Sequence, residues 1–331
     1  MIQGMRSAIA VVAVLATGGM CQSVGATVFE LATPDAVLLG REERVLTNTE
    51  DTLYDIARRF SLGSEEIVRV NSGFDPWLPG EGRNIVIPGE RVLPSGPHEG
   101  IVINLPEHRL YYFPVTPAGK PQRVFTYPIS IGKMDWTTPL GKTKVKDKRE
   151  NPSWTPPESV RQEHIANGDP PLPAVVPPGP DNPLGAHAMR LALPGSYLIH
   201  GTNNPLAVGM AVTHGCIRMY PEDIAELFPL VPVGTPVYLV NEPVKLAWVD
   251  GRLLLEVHPP VDGQGQTQEP DLKVFEGLME KALGDTVVAI HWELAREALS
   301  RALGMPVVVG LEAVAPADLA KPAAVSAPGP Q

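Results

Sequence analysis

Hydrophobic and polar residues alternate along the central part of the chain, a pattern that is typical of β-strands. The segment GIVINLPEHRLYYFP predicts a hairpin, with strands over residues 101–105 and 109–113 and a Pro-Glu-His turn between them. Further strands are predicted in VFTYPISIG, AMRLAL, SYLIHG, TPVYLVN and the LLLEVH of residues 253–258. We therefore predict a mostly-β domain over residues 99–260.

Apolar residues at helical spacing occur on both sides of this domain. Residues 44–88 predict a small unit in which a strand, two helices and a closing strand follow one another, the first helix being EDTLYDIARRF. Residues 261–312 predict a helical extension, with amphipathic helices in DLKVFEGLMEKAL and HWELAREALSRAL. The Ala/Pro-rich residues 313–331 predict a disordered tail.

Proline and glycine interrupt these patterns at two places. Residues 89–98, GERVLPSGPH, predict a linker between the small unit and the β domain. Residues 151–185 contain repeated prolines, and a loop of this length predicts a functional lid or a disordered edge. Trp154 in this loop fits either a core position or the wall of a substrate cleft.

The first 26 residues have the features of an export signal. Arg6 supplies a positive charge, residues 8–16 form a short apolar run, and small residues precede a cleavage position before Thr27. Cys21 raises a lipid anchor as an alternative, but Met20 is a poor residue before a lipidated cysteine. We predict an exported, periplasmic protein without a lipid anchor.

The net charge of −10 and the isoelectric point near 5.3 exclude the basic surface that nucleic-acid binding requires. The sequence does not set an oligomeric state. Acidic residues of this number aid solubility and identify no partner.

The chemistry concentrates around Cys216, the only cysteine outside the predicted signal. A thiol becomes a nucleophile when a base or a positive environment removes its proton. His200 ends a predicted strand and is the candidate base, while His214 precedes Cys216 by two residues. Arg218 and the helix predicted to open at Pro221 add positive potential, which predicts a lowered thiol pKa.

Two other interpretations of these residues remain open at this point. A lone buried cysteine is often a structural residue without reactivity. Cysteine and histidine are also zinc ligands, but no second cysteine or carboxylate pair occurs at a matching spacing. We therefore predict no metal and no cofactor.

HGTN followed by THGCIRM closely resembles the signature of the L,D-transpeptidase catalytic domain of the YkuD type. The likeness extends through ISIGKMDWTTPLGKTKV, NPSWTPP, GPDNPLGAHAMRL, YPEDIAELF and GTPVYLVNEPVKLAWVDG. The resemblance implies a β-sandwich-like catalytic fold. It also implies that peptidoglycan is the substrate.

The resemblance assigns roles to individual residues. It implies that Cys216 is the nucleophile, that His200 is the general acid and base, and that Arg218 supports the pocket or the substrate. It places His214, Gly215 and the amide of Cys216 at the oxyanion hole.

The resemblance also implies substrate binding by Gly201 and Thr213. Thr213 stands where the family more often has serine, and threonine retains the hydroxyl group.

Residues 44–88 resemble a LysM domain, a module that binds the glycan of peptidoglycan or chitin. The matching pieces are Asp51-Thr52-Leu53, Ile56-Ala57, residues 67–71 and Ile85-Val86-Ile87-Pro88, although Glu50 stands where LysM modules usually have glycine. A small structural domain without glycan affinity is the alternative, because fold does not imply function.

The reaction implied is thioester formation with a tetrapeptide stem, release of D-alanine, and transfer to an amine. The acceptor amine belongs to a second stem or to the lysine of an outer-membrane lipoprotein. A hydrolase that uses water as acceptor and a non-catalytic wall-binding protein are the alternatives.

Overall fold

The computed structural model of the protein describes residues 27–33, 35–133, 138–261, 272–283 and 288–312. The predicted export signal with Cys21 and the predicted tail over residues 313–331 lie outside the described residues.

Strands dominate the described residues, so the mostly-β prediction is confirmed. In chain order the strands are β1 Thr27–Glu30, β2 Leu38–Leu39, β3 Glu43–Leu46, β4 Asn84–Ile87, β5 Arg91–Val92, β6 Gly100–Asn104, β7 Arg109–Phe113, β8 Arg123–Pro128, β9 Ile131–Gly132, β10 Gly141–Glu150, β11 His187–Leu191, β12 Leu198–His200, β13 Ala211–Thr213, β14 Ile217–Arg218, β15 Pro236–Val240, β16 Val244–Val249, β17 Arg252–Val257, β18 Val288–Ile290 and β19 Val307–Glu312. The helices are α1 Leu53–Arg59, α2 Ser64–Val70, α3 Glu158–Ala166, α4 Pro221–Leu230, α5 Leu272–Leu283 and α6 Trp292–Arg301, with a 3-10 turn at Pro205–Ala207. Among the described residues, no helix is both long and apolar enough to span a bilayer.

A nine-stranded sheet in the order β1-β8-β7-β6-β15-β10-β11-β12-β14 forms the catalytic region. The predicted hairpin is confirmed as β6 and β7, which pair antiparallel from Gly100 opposite Phe113 to Asn104 opposite Arg109. Two pairs in this sheet are parallel, β6 with β15 and β12 with β14.

The sheet curls around one core. Tyr127 of β8 and Ile217 of β14 belong to strands near opposite ends of the sheet, yet both are buried in the same hydrophobic cluster. Ile224 and Leu227 of α4 fill that cluster. The sandwich-like prediction is therefore corrected to a single curled sheet, because β15 and β10 join its two arms by backbone hydrogen bonds.

The unit predicted over residues 44–88 has the predicted order β3, α1, α2 and β4, with Leu53 and Ile67 fully buried between them. Thr52 caps α1 and exchanges hydrogen bonds with Asp55. The linker prediction is wrong. Arg91 of β5 is buried and pairs with the carboxylate of Glu66, so the segment is part of the packed structure.

The N-terminal unit, residues 43–88, is docked on the catalytic sheet through polar contacts. Arg109 of β7 is 1% exposed, and its Nη2 lies 2.7 Å from Oε2 of Glu66 in α2. The same guanidinium donates to Ser61 O and, at 2.9 Å, to Thr126 Oγ1. Arg109 thus joins the two units through a buried charge pair.

The helical extension is a mixed α/β unit, which corrects the prediction. β18 follows α5 and β19 follows α6, and together with β16 and β17 they form a four-stranded sheet in the order β16-β17-β19-β18. Leu253 and Leu255 of β17 face the helices, where Phe275 and Leu299 bury them. The VVVG run of residues 307–310 carries the β-branched signal for β19, which the helical periodicity around it obscured.

Replacing Arg109 with alanine is expected to lower the free energy of unfolding by about 3 kcal/mol, because the buried Glu66 carboxylate would lose its closer ionic partner and keep only Arg91, 3.3 Å away. Arg44→Ala removes an exposed pair with Glu42 and is the control, with an expected change within about 0.5 kcal/mol. Chemical denaturation followed by tryptophan fluorescence measures both. A loss below about 1 kcal/mol in Arg109→Ala would contradict this role.

Candidate active site

The pairing of β12 with β14 places the predicted site residues on one face of the sheet. His200 lies opposite Arg218 in the parallel register, and Ile199 lies opposite Ile217. The two isoleucines are buried in the main core. Since side chains alternate along a strand, His200 and Arg218 point to the other face, and Cys216 comes immediately before β14.

A tight turn at Gly215 directly precedes Cys216. Gly215 has a φ of 93°, a conformation that side chains rarely adopt. Thr213 Oγ1 donates a hydrogen bond to Cys216 O at 2.6 Å, and Thr138 Oγ1 donates to Gly215 O at 3.1 Å. Gly132 N in turn donates to Thr138 Oγ1 at 3.2 Å. These contacts fix the backbone on both sides of the thiol.

His200 is held as a neutral, oriented base. The ring is 4% exposed, and its Nδ1 lies 2.6 Å from Gly201 O. Because a carbonyl oxygen only accepts, Nδ1 carries the proton and Nε2 keeps its lone pair. Burial, followed by the nearby Arg218 guanidinium, lowers the pKa of His200 to about 3. Gly201 is confined as well, since a Cβ there would lie 3.2 Å from Cγ2 of Ile224.

Cys216 is partly exposed, and its thiol donates to Ser196 O at 3.5 Å. Burial raises the pKa of the Cys216 thiol, outweighing a backbone hydrogen bond with Leu198 and the charge of Arg218. The predicted lowering of this pKa is therefore wrong, because the cost of desolvating a thiolate exceeds the favourable potential. Within the described part of the chain no hydrogen bond joins the His200 ring to Sγ, so proton transfer requires the thiol to turn from Ser196.

His214 is in contact with α3, a helix that lies within the loop predicted over residues 151–185. Its Nε2 lies 2.5 Å from Oε2 of Glu163, and Lys133 Nζ forms an ion pair with Oε1 of the same carboxylate. The hydrogen bonds from Lys133 and from His214 lower the pKa of Glu163, which is therefore a carboxylate at neutral pH.

Signals for α3 are present in the sequence. Pro157 precedes the helix, Glu158 lies in its first turn, and Gly168 follows its end. The surrounding prolines hid these signals. The roles of Lys133 and Glu163 had no such signal, because contacts over 30 and 51 residues depend on the tertiary fold.

Trp154 lines a cleft. Its backbone pairs with Val176, and a cavity of about 680 Å³ opens between this pair, α3 and the proline-rich residues 172–183. Asn203 Nδ2 donates to Asp181 O at 3.2 Å, which joins the proline-rich segment to the loop after His200.

Glu107, Glu256 and His258 form a buried group whose donor atoms could hold a metal ion. The ammonium of Lys245 lies 2.9 Å from Glu107 Oε1 and 2.7 Å from Glu256 Oε1. A cation of the protein itself therefore already neutralises these carboxylates.

The reactivity of Cys216 is expected to rise only at alkaline pH. The thiol pKa is raised, and His200 with a pKa of about 3 forms no ion pair with it near pH 7. In the chain without residues 1–26, alkylation of Cys216 by iodoacetamide should accelerate through one step above the ordinary thiol value of about 8.5. Full reactivity on a plateau between pH 6 and 7 would show a preformed thiolate instead.

Comparisons with known proteins match this chain to one family of enzymes. A family model described as the L,D-transpeptidase catalytic domain matches residues 98–239. The probable L,D-transpeptidase YcfS of Escherichia coli K12 is 41% identical over 285 residues, covering 83% of this chain and 85% of that protein. The probable L,D-transpeptidase YbiS of the same strain is 40% identical over 254 residues, covering 75% and 80%.

The probable L,D-transpeptidase ErfK/SrfK of Salmonella typhimurium is 39% identical over 266 residues, with 78% of this chain and 83% of that protein covered. Identity at this level extends well beyond the residues around Cys216. The chain belongs to the L,D-transpeptidase family of enzymes.

Proposed function

We propose that the protein is a periplasmic L,D-transpeptidase that crosslinks peptidoglycan through a thioester on Cys216. The donor is a tetrapeptide stem that loses its terminal D-alanine, and the acceptor is an amine of a second stem or of a lipoprotein lysine. The observation that carries this proposal is the neutral His200 ring, oriented by Gly201, at the end of β12, the strand that pairs with β14 next to Cys216.

In the acylation step, His200 Nε2 takes the Cys216 proton as Sγ attacks the carbonyl carbon before D-alanine. Backbone N–H groups of Gly215 and Cys216 stabilise the oxyanion of the tetrahedral intermediate. The carbon–nitrogen bond then breaks, and the imidazolium returns its proton to the departing amine. The acceptor amine repeats these steps in reverse on the thioester and regenerates the thiol.

The pKa values of the two groups set the timing of proton transfer. Burial raises the pKa of the Cys216 thiol, while burial and the nearby Arg218 guanidinium lower the pKa of the His200 imidazole to about 3. Both shifts oppose proton transfer between the free side chains. The transfer is therefore coupled to carbon–sulfur bond formation, and the resting enzyme contains the neutral pair.

Incubation with a disaccharide-tetrapeptide tests the nucleophile. The intact protein should gain the mass of the donor minus D-alanine, measured by mass spectrometry, and Cys216→Ala should gain none. His200→Gln should slow the acylation at least about 100-fold, as expected for the loss of a general base. Full turnover in Cys216→Ala would show that another residue carries the acyl group.

The same incubation assigns the acceptor when it is repeated with and without an added amine. A crosslinked product that requires the amine supports transpeptidation. Release of tripeptide at the same rate in both reactions supports the alternative, an L,D-carboxypeptidase that uses water. Both reactions share the acyl-enzyme, so Cys216 serves either outcome.

The N-terminal unit is proposed to bind the glycan strand of the wall. Trp77 is 59% exposed, and its ring centroid lies 4.6 Å from that of Tyr54. Leu78 beside it is 71% exposed. An exposed aromatic pair offers the flat apolar surface on which a sugar ring packs, and the fold order of this unit resembles that of LysM domains.

Replacing Trp77 with alanine is expected to reduce binding to purified sacculi at least several-fold, because the sugar ring would lose its aromatic contact. Trp292→Ala is the matched control, since Trp292 is also about half exposed but lies on α6. Co-sedimentation measures both variants. Equal sedimentation of Trp77→Ala and the parent would exclude this surface.

A further inference from the structure

The acyl-transfer steps do not use the charged cluster beside the nucleophile. Glu163 of α3 bridges two side chains, the Lys133 ammonium and the His214 imidazole, which directly follow the paired strands β9 and β13. About a third of each side chain remains exposed, 33% for Lys133, 33% for Glu163 and 28% for His214. A small molecule in solution can therefore reach this cluster.

The two partners of Glu163 are fixed with respect to the thiol. Lys133 N donates to Thr213 O at 2.9 Å at the end of β9, which pairs in parallel with β13. His214 follows Thr213 and precedes Cys216 by two residues. Two residues span at most about 7 Å of extended chain, so the backbone of His214 lies within that distance of Cys216, and Glu163 links the Lys133 ammonium to the same segment.

Glu163 comes to this position from outside the sheet. The α3 helix contributes no fully buried side chain. Arg161 on the same helix binds carbonyl groups of its own proline-rich segment, among them Pro156 O and Leu172 O. The Glu163 carboxylate is thus the ionic contact between α3 and the site.

We propose that Lys133 and His214 bind the terminal carboxylate of the donor peptide, and that Glu163 occupies this position until the peptide displaces it. The inference rests on the proposed function, because it takes its donor from that reaction. The terminal carboxylate of such a peptide lies one residue beyond the scissile bond, a distance of about 3.5 Å along the chain. An ammonium and a ring N–H beside the nucleophile therefore match the position and the charge of that group.

The arrangement gives a reason for the contact between a carboxylate of α3 and His214, two residues before the thiol. In the free enzyme Glu163 neutralises the two donors and holds α3 over the site. In the complex the peptide carboxylate accepts the hydrogen bonds from Lys133 and His214. Glu163 then moves away from these donors together with α3 and becomes exposed. The enzyme would then discriminate peptides with a free terminal carboxylate from amidated ones.

Binding of N-acetyl-D-alanine and of its neutral amide to the Cys216→Ala chain tests this site without turnover. The acid is expected to bind at least about fivefold more tightly to Glu163→Gln than to the parent, since its competitor has lost its charge. Lys133→Met should lower the affinity for N-acetyl-D-alanine at least tenfold. Lys133→Arg, which keeps the positive charge, should show a smaller loss. None of these substitutions should change the affinity for the amide. NMR titration measures the affinity of each variant for the acid and for the amide.

Glu158→Gln is the matched control, because Glu158 lies on the same helix and is exposed. It should bind the acid as the parent does. Unchanged or weaker binding of the acid by Glu163→Gln would overturn the proposal, and so would equal binding of acid and amide by the parent. The iodoacetamide rate of Cys216 in Lys133→Met, measured in the chain that retains the thiol, verifies that the site is still folded.

The outcome separates this proposal from the proposed function. If the acid binds with the expected pattern but no donor peptide acylates Cys216, the carboxylate site stands and the transpeptidase assignment fails. If acylation occurs but Glu163→Gln and Lys133→Met leave binding of the acid unchanged, the assignment stands and this site fails.

Discussion

The parallel pairing of β12 with β14 is the constraint on which the site depends. Parallel neighbours need a crossover connection, and here residues 201–216 supply it. The N-terminal unit packs on this crossover: Ser64 N and Oγ donate to Val208 O at 2.9 Å and Leu206 O at 2.8 Å. A Cβ on Gly209 would lie 2.3 Å from Gly63 Cα, so the backbones touch. The N-terminal unit, which is proposed to bind glycan, thus also supports the chain between His200 and Cys216.

Burial governs the electrostatics of this site more than its charges do. Arg218 lies opposite His200 in the register and near Cys216, and it favours the thiolate. Desolvation nevertheless raises the thiol pKa and, together with Arg218, lowers that of the imidazole. A neutral thiol resists oxidation better than a thiolate, which suits a protein predicted to work outside the cytosol with one cysteine.

The sequence predicted the strands and the helices of the N-terminal unit, because these depend on local periodicity, while the roles that the THGC motif suggests around Cys216 stay predictions. It failed where distant segments decide the outcome. The thiol pKa depended on burial that no motif encodes, and Glu163 reaches His214 over 51 residues. The run at residues 307–310 became a strand because an edge of β17 was available for pairing. The segment at residues 89–98 was ordered by the buried charge of Arg91.

Three consecutive residues, two in the turn between β6 and β7 and one at the start of β7, join the parts of the molecule. Glu107 pairs with Lys245 of the C-terminal sheet, His108 Nδ1 contacts Gly209 O at 2.8 Å, and Arg109 pairs with Glu66. Buried ionic contacts cost desolvation, so they contribute less to stability than apolar packing of the same volume. They are directional, however, and fix one relative orientation of the groups they join. Because the middle contact lies on the crossover that carries the site, a shift of either outer unit would be transmitted through this turn to the backbone between His200 and Cys216.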